Sequence, residues 1–206
     1  MRTVKMAVMA VLALYAMWMS GVLAEERAGY SDDKLGIEFP GSVGDCKFVK
    51  MEKYDKSSLG YCVRYVCEPW LNADVFVYDK GVRDIPDGCT QKIFEDEIAE
   101  INAVINIMEE RGLYKNVKKI ESGLWPDKDK PICMFSRHEY SLDGRDMVSD
   151  SYVVGYKKNF IKIRCSYLKE KEKEGRAVSE AMARQFMRQN KAGNDKPVEP
   201  SVPEKK

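Results

Sequence analysis

Residues 132–167 read ICMFSRHEYSLDGRDMVSDSYVVGYKKNFIKIRCSY. Three segments rich in β-branched and aromatic residues follow one another closely here, at 132–142, 146–156 and 160–167. Asp143-Gly144 between the first two is a strong two-residue hairpin signal, because the favoured turn needs positive φ at its centre. Lys157-Lys158-Asn159 joins the second to the third. The stretch is a β-meander, and its apolar side chains need a partner layer.

Working backwards, residues 90–111 supply that partner. Phe94, Ile98, Ile101, Ile105 and Met108 recur at helical spacing, and Val104 and Ile107 widen the stripe. Thr90 suits the N-cap, and Glu95, Asp96 and Glu97 suit the positive end of the helix dipole. With Glu100, Glu109 and Glu110 these acids read as the solvated side. Gly112 followed by Leu113 reads as a left-handed C-cap. Before the helix, 35–39, 46–53, 60–67 and 73–78 are strand candidates, and 117–124 is another after it. Beyond the meander, a second helix runs from the 169–175 charge run to about residue 189, with Val178, Ala181, Met182, Gln185 and Phe186 inward.

The ends differ in character. Arg2 and Lys5 precede an uncharged stretch from Met6 to Ala24, and Val22-Leu23-Ala24 offers small residues before Glu25. That pattern is an export leader, 1–24, cleaved before Glu25; the alternative is an uncleaved anchor near the ~20 residues that span a bilayer. Residues 25–33 read as a flexible segment, 34–190 as a single domain, and the proline- and charge-rich 191–206 as a disordered tail. Of the 34 basic residues, two leave with the leader, so 32 bases face 33 acids. This balance gives no field to gather nucleic acid, and no membrane contact is expected once the leader is removed. The expected location is secreted or periplasmic.

All six cysteines, Cys46, Cys62, Cys67, Cys89, Cys133 and Cys165, lie beyond the leader. An even number in an exported chain suggests three disulfides. A tight turn near Lys56-Ser57 would set Cys46 opposite Cys67, which makes that pair the favoured one. Asp143-Gly144 sets Cys133 opposite Val154, and a turn at Lys158-Asn159 sets Val154 opposite Ile163. Cys133 and Cys165 are then a whole strand apart, roughly 10 Å, beyond disulfide reach. The other pairings stay open.

No close-spaced cysteine pair suggests redox catalysis, and neither a zinc-ligand pattern nor a phosphate loop is present. No cofactor or metal is expected. His138 is the sole histidine. Its neighbours Arg137 and Glu139 alternate to the opposite face of a strand, which argues against a catalytic trio. Trp70 and Trp125, next to chain breaks, are the candidate ligand or partner contacts; the competing reading makes them covers of the core.

The order of strands, long helix, strand, meander and terminal helix ends in Phe160-Ile161-Lys162-Ile163-Arg164-Cys165-Ser166-Tyr167 and then 177–186. This resembles PsbP-type domains, extrinsic subunits of photosystem II and related α/β/α sandwiches. The six cysteines depart from that family's usual pattern, and no functional residue carries over. The resemblance implies a non-catalytic helper or binding domain. The sequence thus predicts an α+β fold: a largely antiparallel sheet covered by two amphipathic helices, in an α/β/α or two-layer sandwich, with disulfides. The function expected is an exported binding or accessory domain of the cell envelope that meets an unknown protein or small ligand. The alternative is a small secreted hydrolase that combines carboxylates with His138.

Overall fold

The structure is a computed structural model that describes residues 29–67 and 69–192, with side chains to residue 187. The expected leader and most of the expected tail lie outside the described residues. Twelve strands and helices follow in order. The strands are β1 (Tyr30–Asp32), β2 (Ile37–Phe39), β3 (Ser42–Val43), β4 (Cys46–Lys53), β5 (Tyr61–Cys67) and β6 (Leu71–Tyr78), then helix α1 (Lys92–Glu110). After it come β7 (Lys115–Trp125), β8 (Cys133–Leu142), β9 (Arg145–Tyr156), β10 (Asn159–Leu168) and helix α2 (Glu172–Ala192).

One eight-stranded sheet carries the fold, in the order β3-β4-β5-β6-β10-β9-β8-β7, and neighbouring strands pair antiparallel throughout. It is two meanders joined edge to edge where β6 pairs with β10. Helix α1 packs on β7, β8 and β9 from one side, and α2 packs on β10, β9 and β6 from the other. The architecture is therefore the α/β/α form of the expected fold.

The meander closes as expected at Asp143-Gly144, where Leu142 pairs with Arg145. Met134 faces Val153, which places Cys133 beside Val154. The next turn differs from the expectation. Tyr156 pairs with Asn159, so Lys157 and Lys158 are the turn residues, with φ of 46° and 62°. Val154 therefore faces Ile161 and not Ile163. The first of the chain's expected loose segments also differs, because β1 pairs with β2 in a small separate hairpin. The terminal helix reaches Ala192, past the boundary expected at 190.

The face under α2 is aromatic and apolar. Phe186 stacks on Phe39 and approaches Tyr65, while Tyr152 meets Phe135 and Trp125. The inward face of α2 is rotated from the expected one: Ala181 and Gln185 are exposed, whereas Ser179, Ala183 and Met187 are buried with Met182 and Phe186. Ser179 determines part of this, since its hydroxyl meets the Tyr152 hydroxyl at 3.1 Å. The buried charges on this face are matched: Arg137 donates twice to Asp150, at 2.7 and 2.8 Å, and Tyr167 donates to the same carboxylate.

Helix α1 is held against β9 by a close approach. Gly88 and Gly155 exchange backbone hydrogen bonds of 3.0 and 2.8 Å. A Cβ at Gly155 would lie 1.9 Å from the Pro86 carbonyl oxygen and 2.6 Å from the Phe94 ring, so only glycine lets the β6–α1 connection lie this close. Gly112 ends α1 with φ 73°, and Leu113 N–H donates to Met108 O. The N-terminus differs from expectation, because Gln91 and not Thr90 is the N-cap.

Cys46 and Cys67 form a disulfide across β4 and β5, as favoured, with their Cα atoms 4.2 Å apart. The expected set of three bridges is not met. Cys62, Cys133 and Cys165 are buried thiols, and Cys89 is buried near Cys133. Cys62 sits on the α1 face, within 3.9 Å of the Asp74 carboxylate, whereas Cys165 faces α2. Replacing Cys46 and Cys67 together by serine should lower stability by about 3 kcal/mol in urea unfolding, because the bridge restrains the unfolded chain. An equal loss should follow reduction of the unaltered protein.

Candidate functional site

The side chains of β10 alternate between the face under α2 and the opposite face, on the side of α1. Ile161, Ile163, Cys165 and Tyr167 point to α2; Lys162 and Arg164 therefore point to the side of α1. Helix α1 leans over β7–β9, so it does not close the whole of that side. A cavity of about 150 Å³ remains between α1, β6 and β10. Phe76, Tyr78, Ile101, Val104 and Ile105 give it apolar walls, and Tyr54 and Leu59 from the β4–β5 connection border it.

Its polar groups are few and specific. Lys80 bridges to Glu97 and Glu100, the latter at 2.7 Å, and Tyr78 donates to Glu97 at 2.6 Å. The hydroxyl of Tyr78 is pushed well above its usual range by burial and by that carboxylate. Lys162 has no such relief. Its Nζ lies over the rings of Phe76 at 4.3 Å and Tyr78 at 5.4 Å. Among the described residues, no carboxylate lies within salt-bridge distance of it. Burial pushes Lys162 down to about 8, with Arg164 and Lys80 adding repulsion and Glu97 opposing.

Arg164 is similar. Its Nε donates to Ser149 Oγ at 3.1 Å and a second nitrogen donates to Tyr114 at 3.0 Å, both neutral oxygens. Asp74 faces it across β6 but is held bidentately by Arg64, at 2.7 and 3.1 Å. Beside Arg164 in register stands Ser151, and beside that Ser136. Both hydroxyls are fully buried without a hydrogen-bond partner, and Ser151 lines the cavity. Buried polar atoms of this kind cost free energy unless something completes them.

The sequence candidates fall elsewhere. His138 is buried on β8 between Lys119 and Ser149 in register, and its Nδ1 has no partner. Burial, Arg164 and Lys119 push it down to about 4, so it is neutral near pH 7. It does not line the cavity, and the charged groups that act on it are cations. Among the described residues, no carboxylate is one of the charges that act on it, and the geometry a His138 hydrolase needs is not assembled there. Trp125 is buried at 8% exposure, edge-on to Tyr152 with the Arg184 guanidinium 4.7 Å over its ring. Trp70 is half-buried against the core. Its carbonyl meets Leu168 at one end of the sheet, whereas Trp125 pairs with Cys133 near the other, so the two form no common surface. Among the described residues, no group of three or more His, Cys, Asp or Glu side chains could hold a metal. No helix among them is long and apolar enough to cross a membrane.

Glu97, Lys162, Arg164 and Ser151 were not singled out by the sequence. Glu97 looks like one of six acids on a wet helix side, yet only 5% of it is exposed. Lys162 and Arg164 alternate with apolar residues, which resembles a solvent-facing strand. The available signal was topological: a strand between two helix layers must cover both of its faces.

No family model matches the chain, and no curated protein matches its sequence. Among solved structures, it is similar to cyanobacterial PsbP from Synechocystis sp. PCC 6803, at 15% identity and a TM-score of 0.44. That match covers 81% of this chain and 96% of the other. It is also similar to PA94, a protein of unknown function from Pseudomonas aeruginosa, at 14% identity and a TM-score of 0.38, over 75% of this chain and 92% of that one. A PsbP-like structure is thus among those the chain resembles, and the resemblance is weak.

The lysine makes a stability prediction. Its folded value of about 8 lies below the ordinary 10.5, so between these values the unfolded chain holds a proton that the folded chain has lost. Its cost is complete below pH 8 and fades as pH rises towards 10.5. Lys162→Met should therefore raise stability by about 1–2 kcal/mol at pH 7. That advantage should shrink between pH 8 and 10.5, measured by urea unfolding of both proteins at each pH.

Proposed function

We propose that this chain is an exported, non-catalytic accessory domain that holds a small ligand in the cavity between α1 and the sheet. The observation that carries the reading is Ser151: a fully buried hydroxyl without a partner, on a residue that lines an apolar cavity together with Lys162. Folding gains nothing from an unsatisfied hydroxyl and a half-buried ammonium lining one cavity, whereas a ligand with complementary groups would complete both. A space of about 150 Å³ suits a benzene-sized body.

Work outside the cytoplasm is supported by the basic, then apolar, then small-residue pattern of 1–24 and by the Cys46–Cys67 bridge. The hydrolase alternative has less support, because the charges acting on His138 are Arg164 and Lys119. The role is one of holding and presenting, in the cell envelope or beyond it.

A thermal-shift screen of small molecules on the exported protein tests this reading. A ligand at a hundredfold excess over its Kd should raise the melting temperature by about 5 °C or more. Val104→Phe, which fills the cavity from α1, should abolish the shift and keep the fold. A panel without any responding compound, or shifts that survive Val104→Phe, would contradict the reading.

A further inference from the structure

The charges that line the cavity do not balance. Lys80, Lys162 and Arg164 face only Glu97 and Glu100. Both glutamates are engaged by Lys80, and Glu97 also accepts from Tyr78. The nearest further carboxylate, Asp74, is occupied by Arg64. The nearby thiol of Cys62 is pushed well above its usual range, so it supplies no negative charge. The floor thus carries one cation in excess, in a place with apolar walls.

We propose that the cavity is a binding site for a small apolar monocarboxylate, its carboxylate held by Lys162 and Ser151 and its hydrocarbon body against Phe76, Ile101, Val104 and Ile105. The inference rests on the ligand-holding reading above and adds the charge of the ligand. Each part of such a molecule meets a matching group. The carboxylate supplies the counter-charge that Lys162 lacks among the described residues and accepts from the orphaned Ser151 hydroxyl. Charge-assisted hydrogen bonds of this kind are about twice as strong as neutral ones. The body replaces empty space beside aromatic and branched walls, and about 150 Å³ admits a single ring or a short chain. A cationic ligand would meet Lys162 and Arg164 directly, and a neutral one would leave the excess charge uncompensated.

Titration calorimetry with benzoate, benzyl alcohol and benzylamine, three probes of one shape, separates these cases. Benzoate should bind about tenfold or more tighter than benzyl alcohol, and benzylamine should not bind. Lys162→Met should lose about tenfold in benzoate affinity and leave benzyl alcohol unchanged, whereas Ser151→Ala should weaken benzoate somewhat less than Lys162→Met does. Melting curves of both variants, at least as stable as the parent, show that the site was tested in a folded protein. Benzyl alcohol binding as well as benzoate would overturn the charge assignment and leave the cavity reading intact. Failure of all three probes would overturn both.

Discussion

A strand in the middle of a sheet that is covered on both sides has no solvent-facing alternation. β10 approaches this, between β6 and β9, with α2 over one face and α1 leaning over only part of the other, where Lys162 and Arg164 stay half-buried. Its sequence nevertheless alternates charge with apolar residues, so Lys162 and Arg164 are carried inward. The rest of that side follows from their presence. Helix α1 packs its apolar stripe over β7–β9, where Ile105 and Met108 meet Tyr114, Tyr140, Leu142 and Met147. Above the two cations it stands off, and the cavity is the result.

The two faces handle buried charge in opposite ways. Beneath α2, Arg137 and Asp150 form a bidentate pair with Tyr167 added, which satisfies donors and acceptors together. Pairs of this quality offset much of their desolvation. Towards α1, Arg64 and Asp74 are matched and Lys80 is matched to the glutamates, but Lys162 and Arg164 rely on aromatic rings and neutral oxygens. A molecule selected only for stability would put methionine or leucine at 162. An unmatched ammonium and an unmatched hydroxyl lining one cavity are the kind of cost that accompanies a binding site.

Much of the architecture was legible because it follows from periodicity and turn chemistry. Asp143-Gly144 is a turn for reasons internal to those two residues, and the stripe from Phe94 to Met108 can only be an amphipathic helix. The Cys46–Cys67 bridge was expected from a tight turn near Lys56-Ser57; the connection in fact spans 54–60, and a bulge between Phe48 and Lys50 brings the two cysteines opposite each other. What escaped depends on contacts distant in sequence. The β9–β10 turn falls on Lys157-Lys158, although Asn159 is the residue that ordinarily accepts positive φ, because Asn159 Nδ2 instead bonds back to the Lys157 carbonyl. The face of α2 is rotated towards Ser179, whose partner Tyr152 is 27 residues away in the chain. Glu97 cannot be told from the acids around it until Tyr78 and Lys80 are brought beneath the helix. The site is made of such residues, which explains why the fold could be read and the site could not.

The account depends on Lys162 being a half-buried ammonium with no carboxylate in salt-bridge reach among the described residues. The most direct measurement is an NMR titration of the Lys162 side chain in the folded protein, followed at its Cε and assigned by Lys162→Arg. A midpoint near 8, far below the other lysines, is the predicted result. A midpoint at the ordinary 10.5 would mean that the amine is solvated or paired, and the unmatched charge at the centre of the account would not exist.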